Sequence, residues 1–492
     1  MITLVVMIAA LLPSIDNTIA NVALPRMQGN LSATQDQMSW VLTSYIVGMA
    51  IMTPLGGWLA DRFGRKAVFF YSILAFTAAS ALCGVAVSLE QVVLFRTIQG
   101  IAGASLMPLS QAVMFDTFPP GEQGRAMAIW SLGIVVGPML GPVLGGWLTD
   151  NLSWRWIFYI NVPFGIAGVL GVRKYLPDSA AGRRSFDFFG FAALAVFVGS
   201  LQLMLDRGSA KDWFGSGEIR AYALVGALAL YVFIAHTLTT ERPFVRFSLY
   251  RDRNLLSGTI VTFLVAVVMF SNMSLLPAML QNLMNYSVLQ AGLMMMPRSI
   301  GTAIAMFIVS RAIGRIDSRI IIGCGLSLAA FALWQMSHFA PVMGMATIFW
   351  TSVLQGVGTG CVYVPLATMT FATLAAAYRN EGSATTALLR NVGASVGIAM
   401  AQAILVHNTQ VVHARLAAHV TPYMPIGHRI LSTGGARAAA LLNAEVTAQS
   451  SMVAYIDNYH LMTLLTLLAL PVLLLIRRPT AVGPELKEVV VD

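Results

Sequence analysis

Ser14-Ile15-Asp16-Asn17-Thr18-Ile19-Ala20-Asn21-Val22-Ala23-Leu24-Pro25 places a carboxylate inside an apolar run, with no Lys or Arg within nine positions on either side. An unpaired carboxylate at that depth is expensive in hydrocarbon, so such residues face a protein-lined cavity and often belong to an ion, proton or substrate pathway. The chain therefore reads as a membrane transporter, and Asp16 is the leading candidate for its coupling site.

Composition agrees. Hydrophobic residues make up 57% of the 492, charged residues only 10%, and mean hydropathy is +0.74, which excludes an ordinary soluble enzyme. Runs of roughly 20 apolar residues, the length that crosses the hydrocarbon, number fourteen. They lie near 2–24, 39–60, 67–87, 91–114, 124–147, 156–175, 187–206, 219–239, 255–277, 289–311, 319–338, 343–366, 384–407 and 457–476. The first lacks a basic leader and carries Asp16 where a signal sequence would be apolar, so it is expected to stay as helix 1. With the N-terminus inside, nineteen Lys and Arg fall on the cytoplasmic side, eight on the other and three within helices, which favours both termini in the cytoplasm. The net charge of +9 is thereby assigned to topology and lipid headgroups; the basic residues are dispersed over short loops, which speaks against nucleic acid. Cys83, Cys324 and Cys361 are isolated in apolar segments and offer neither a disulfide framework nor a metal ligand set.

An internal repeat supplies the architecture. Gln99-Gly100 with Pro108-Leu109 recurs as Gln355-Gly356 with Pro365-Leu366. Gly64-Arg65 is echoed by Gly314-Arg315, Glu122-Gln123-Gly124 by Glu381-Gly382, and Gly133 and Gly137 by Gly393 and Gly397, all at offsets of 250 to 260. The expectation is an all-α polytopic protein of two six-helix halves, 1–178 and 254–492, with two inserted helices and their loops in 179–253. Duplicated halves with a site between them near the midplane are a recurring transporter plan.

Four constellations carry the functional reading. The loop Gly57-Trp58-Leu59-Ala60-Asp61-Arg62-Phe63-Gly64-Arg65-Lys66 joins helices 2 and 3 tightly. Either it latches the cytoplasmic helix ends through Asp61, with Asp116 joining through Arg62 or Arg125, or it is a basic loop that only fixes topology. Arg96, a turn from Gln99 and Gly100, puts a lasting cation on helix 4, either to polarise a neighbouring acid or to serve structure alone; its echo in the second half is Ser352. Gly133, Gly137, Gly141 and Gly145, interleaved with Pro138 and Pro142, form a smooth stripe on helix 5, read as a sliding or sealing surface between the halves or as simple packing. Arg298 and Arg390 are buried cations of the second half, open to lining the cavity, binding an anionic substrate group or anchoring helices. Asn17, Asn21, Gln99 and Gln355 complete the candidate cavity, whose walls draw on 27 Met and 25 Phe. Proton coupling needs a carboxylate whose protonation tracks which side is open; Asp206 and Glu90 lie nearer the outer face and rank below Asp16.

These stretches, together with Arg96-Thr97-Ile98-Gln99-Gly100 and Trp154-Arg155-Trp156-Ile157-Phe158-Tyr159-Ile160-Asn161-Val162-Pro163-Phe164-Gly165, resemble the major facilitator superfamily. The likeness is to its fourteen-helix drug:proton antiporter branch (EmrB/QacA-like), nearest the EmrB type. The resemblance implies proton-driven export of amphipathic compounds across a bacterial inner membrane, with no cofactor beyond the proton gradient. It assigns Asp61, Arg62, Gly64 and Arg65 to the family's loop motif, Arg96 to its helix 4 arginine, and Gly137 and Pro138 to its antiporter motif.

The segment 408–456 is the one sizeable extramembrane piece and is expected outside the cytoplasm. Pro422 and Pro425, with Gly434-Gly435 before an alanine-rich run, point to a helical hairpin, against the alternative of a flexible loop. The resemblance implies that it meets an EmrA-like periplasmic adaptor, which leads to an outer-membrane channel. His407, His413 and His419 recur every six residues and so spread around a helix, which argues against a metal site. Two other classes stay open: an exporter of a specific lipid, siderophore or metabolite on the same scaffold, and, more remotely, a polytopic membrane enzyme, for which no paired carboxylates, ligand set or activated nucleophile stands out.

Overall fold

The computed structural model describes residues 1–33, 35–119, 122–178, 186–241, 243–313, 315–341, 343–375, 378–419 and 425–477; Gly314 and Pro422 of the sequence analysis lie outside them. Among the described residues the architecture is helical. The first half holds α1 (Ile2–Asn30), α2 (Gln35–Met52), α3 (Leu55–Phe63), α4 (Arg65–Val85), α5 (Leu89–Gly103), α6 (Leu106–Thr117), α7 (Gln123–Asn151), α8 (Trp156–Tyr159) and α9 (Asn161–Tyr175). Then come α10 (Phe188–Gly208) and α11 (Gly217–Thr239), followed by α12 (Arg253–Asn282), α13 (Val288–Ala312), α14 (Ser318–Met336), α15 (Met345–Phe371), α16 (Arg379–His419) and α17 (Pro425–Val472).

Among the described residues eleven helices are long and apolar enough to cross a membrane, or twelve when Trp40–Met52 and Leu55–Phe63, bent by 54°, count as one span. Proline explains the bend, because Pro54 stands at the start of α3 and breaks the backbone ladder. The expected count of fourteen is not reached among the described residues. α7 and α15, at 29 and 27 residues, occupy two further expected spans and have the length to cross.

The repeat in sequence becomes a repeat in packing. α1 lies on α7 and α9, α2 on α5, and α4 on α5 and α9; in the same pattern α12 lies on α16 and α17, α13 on α15, and α14 on α15 and α17. A Cβ on Gly100 would overlap the carbonyl oxygen of Tyr45, and one on Gly356 would overlap that of Arg298, so both helix pairs approach backbone to backbone. The helix starts of the second half are set by local chemistry. Asp252 accepts from the amides of Asn254 and Leu255, Ser287 and Gln290 form a capping box, and Asp317 accepts from the Arg319 amide.

Where the halves meet, α7 packs on α13 and α15, while α3 and α6 pack on α16. The inserted α10 touches both α2 and α16, and α11 is the outermost helix: 22% of its apolar window is buried, against 61% for α1. Exposed Leu224, Leu228, Tyr231 and Leu238 give it a face suited to lipid. At their far ends α16 and α17 pair as an antiparallel hairpin. Asn408 donates to Asp457 at 2.8 Å, and His413 lies 3.1 Å from the Asn443 side-chain oxygen, so the segment is helical on both sides of its tip.

Candidate functional site

Asp16 is fully buried in the first half, and three side chains converge on it. Arg96 Nη1 donates to one carboxylate oxygen; Gln99 Nε2 and Asn161 Nδ2 donate to the other, each at 2.9 Å. These donors come from α5 and the first turn of α9, while Asp16 belongs to α1. The second layer is equally specific. Arg96 Nη1 also donates to Gln99 Oε1 at 3.0 Å and its Nε to the Val41 carbonyl at 3.1 Å, and its guanidinium lies 4.2 Å from the centre of the Tyr45 ring. Asn161 further donates to Ser80 Oγ at 3.0 Å, and that hydroxyl donates to the Phe158 carbonyl at 2.9 Å. A buried acid and a buried base with complementary charge, each hydrogen-bonded beyond the pair, is the condition under which two ions survive in low dielectric. Arg96 Nη2 and Tyr45 Oη remain buried without a partner, so the cluster retains unused donor capacity.

The opposite face of α1 rests on the glycine stripe of α7. A Cβ on Gly137 would lie 2.9 Å from the Ser14 carbonyl carbon and overlap its hydroxyl, one on Gly141 would overlap Thr18 Oγ1, and one on Gly145 would lie 3.0 Å from the Ile19 carbonyl oxygen. Gly133 is looser, 3.5 Å from the Met7 side chain. The expectation that this stripe faces the other half is corrected: all four glycines face α1 of their own half, although α7 itself also packs on α13. The physical reason is that α1 carries Ser14 and Thr18 one turn apart, a small-residue seat matching glycines four apart.

The loop between α3 and α4 turns on one residue, Gly64, at φ 85°, where a side chain would be strained. Asp61 and Arg65 both carry polar interactions, Arg62 is exposed, and Lys66 pairs with Asp178 at 3.0 Å. Gly57 is buried beside Trp58, Phe244, Asp187 and Glu381 where α3 approaches α16. Asp187 is a knot here. It accepts from the amides of Gly190 and Phe244 and contacts His236 at 2.9 Å; burial disfavours its charge, but these donors outweigh that and hold its carboxyl below the ordinary range.

Of the remaining expected residues, Asn17 is half-buried and carries a polar interaction, and Arg390 reaches across to Met107 Sδ of α6 at 3.6 Å. Asp206 accepts from Thr43, and Glu90 is exposed. The side chains of Asn21, Asp116, Pro138 and Pro142 lie outside the described residues. In the second half, Arg298 and Gln355 line one cavity, and Gln355 accepts from Asn272 Nδ2 at 2.7 Å. Sequence reasoning missed Tyr45, Ser80, Asn161 and Asn272 as site residues. Asn272 was within reach, since it stands 256 positions after Asp16, inside the range of repeat offsets; Tyr45 and Ser80 carry no such signal.

The Major Facilitator Superfamily model matches residues 6–398. The chain is 36% identical over 462 residues to the multidrug export protein EmrB of Haemophilus influenzae, covering 92% of this chain and 91% of that one. It is 33% identical to the fatty acid resistance protein FarB of Neisseria gonorrhoeae over 486 residues, 97% of this chain and 96% of that one. In three dimensions it is similar to the crystal structure of the human organic anion transporter MFSD10 (TETRAN), with a TM-score of 0.61 at 15% identity over 94% of this chain and 98% of that one, a likeness of fold. With the repeat, the helix packing and this match over most of its length, the chain belongs to the major facilitator superfamily, a family of multi-pass membrane transporters.

Proposed function

We propose that this protein is a proton-coupled exporter of varied amphipathic drugs in a bacterial inner membrane, with Asp16 as the site that takes and releases the proton. The observation that carries the proposal is the fully buried Asp16–Arg96 pair. Protonation of Asp16 removes the charge that matches Arg96, and Arg96, which stays charged, then has to reorient or find another anion. α1 transmits the change, because its other face is seated on Gly137 and Gly141 of α7, and α7 packs on the second half. In this reading the stripe couples proton binding to the motion of one half against the other. The Gly57 to Arg65 loop acts as a latch, since α3 meets α16 of the opposite half and Gly64 sets the turn. Kinship with proteins named for multidrug export supports the cargo class.

The paired packing of α1–α9 and α12–α17 supports dividing the chain at 1–178, 179–253 and 254–492, and the excess of Lys and Arg in the loops of one side supports cytoplasmic termini. The α16–α17 hairpin then projects on the far side, where an EmrA-like adaptor and an outer-membrane channel complete the export route. The proton gradient is the sole energy source and no cofactor takes part. Export of a specific lipid is the second reading, favoured by kinship with a protein named for fatty acid resistance.

Proton release from everted vesicles with an acid interior tests the proposal. Addition of hydrophobic drugs should trigger release with the wild type and not with Asp16→Asn. Release that survives the substitution moves the proton site elsewhere, and no release with any compound rejects antiport.

A further inference from the structure

The cavity inside the second half is the counterpart of the Asp16 cluster, with its charges rearranged. Gln355 corresponds to Gln99, and Asn272 to Asp16, since each pair is hydrogen-bonded across the same two helices of its half. Gly100 abuts the Tyr45 backbone and Gly356 the Arg298 backbone, so Arg298 stands where Tyr45 stands. Ser352 stands where Arg96 stands. The second half has therefore lost the acid to an amide and moved its cation from the α5-type helix to the α2-type helix.

The consequence is an uncompensated charge. Arg298 is 7% exposed, and no carboxylate among the described residues pairs with it. Beside Arg298 and Gln355 lies a small cavity walled by α12, α13, α14, α15 and α17. Apart from Arg298 and Gln355 its walls are mainly apolar, including Val268, Leu326, Leu333 and Val362. Gln355 Oε1 is already engaged by Asn272, which leaves the Gln355 amide hydrogens for a ligand. A guanidinium is desolvated at a cost unless an anion meets it, and its planar fork fits a carboxylate.

We infer that this cavity binds an amphipathic carboxylate, with Arg298 holding the anionic head, Gln355 donating beside it, and the apolar walls taking the hydrocarbon body. The ligand supplies the counter-charge that Asp16 supplies within the first half. Calling the ligand a cargo rests on the export reading; the binding site itself does not.

The test is binding of decanoate and of its uncharged analogue 1-decanol to the purified full-length chain, by isothermal titration calorimetry, in wild type, Arg298→Gln and Arg298→Lys. Losing a charge-assisted contact predicts a loss of roughly tenfold or more in decanoate affinity for Arg298→Gln, with decanol unchanged within about twofold, and retention of most decanoate affinity in Arg298→Lys. Equal losses for both ligands, an unchanged decanoate affinity in Arg298→Gln, or a wild type that binds decanol as tightly as decanoate would overturn the inference. Proton release driven by a cationic dye in vesicles carrying the same variants reports on export separately. If that release persists while decanoate ignores Arg298, the anion site is wrong and export stands. If no compound drives release and decanoate still requires Arg298, export falls and the site stands.

Discussion

The two halves share a helix plan and a glutamine at the same place, yet one encloses a closed ion pair and the other a cavity with an unpaired arginine. Asp16 and Arg96 neutralise each other, so their cluster carries no uncompensated charge without a ligand. Asn272 and Arg298 do not, so the second half is complete only when something anionic enters. Under the proposed function the duplicated fold separates two tasks: an internal charge pair that a proton opens, and a cavity that an anionic ligand fills.

The largest loss is expected at Arg96. Arg96→Gln leaves a buried carboxylate without its counter-charge, and stranding one partner of a buried pair costs about 3–5 kcal/mol. Reduced folded yield and a lower thermal midpoint in detergent are expected, with partial recovery in Asp16→Asn/Arg96→Gln; a double variant no more stable than the single would show that the pair is not the source of the loss.

The seat of α1 comes next. Gly137→Ala drives a methyl group into Ser14, and overpacking of this kind costs about 1–3 kcal/mol. Gly133→Ala, with only the flexible Met7 side chain at 3.5 Å, should be tolerated. Thermal unfolding of the two variants side by side checks this, and equal effects would deny the stripe its tight contact with α1.

Asn272→Asp sharpens the comparison by returning an acid to the second half. Decanoate affinity should then fall by roughly tenfold, the worth of one charge-assisted contact, while 1-decanol binding stays put. Calorimetry on the purified variant reads both, and undiminished decanoate binding would separate Asn272 from the anion site.

The smallest effect belongs to the inserted helices, which lie outside both halves. Asp187 has its carboxyl held below the ordinary range, so its contacts stabilise the folded state above that range and are lost as pH falls through the lowered value. The protection factors of the Gly190 and Phe244 amides, measured against the intrinsic exchange rate at each pH, should fall on acidification in the wild type and be low throughout in Asp187→Asn. Protection that is high and pH-independent in both would mean the knot is held by packing alone.

Much of this was legible in the chain. Apolar runs separated by basic loops place the helices, because burial in hydrocarbon depends on local composition and length. The echo of Gln99-Gly100 in Gln355-Gly356 foretells helix pairs in close backbone contact, and Asp16 and Arg96 stand out as charges where charges are rare. The bend at Pro54 follows from its missing amide, although its size does not. Less legible was the direction in which the glycine stripe faces, since a helix with small residues presents a smooth face whatever its neighbour is.

The amino-acid order by itself determined that this is a helical membrane protein of two related halves, and which residues carry charge inside it. Tertiary structure alone decided that Arg96 meets Asp16 across 80 positions, that Asn161 joins them from 145 positions away, and that Arg298 meets no acid among the described residues. The reason is physical. Hydrophobic burial is read residue by residue along the chain, whereas the fate of a buried charge depends on which faces of distant helices come together.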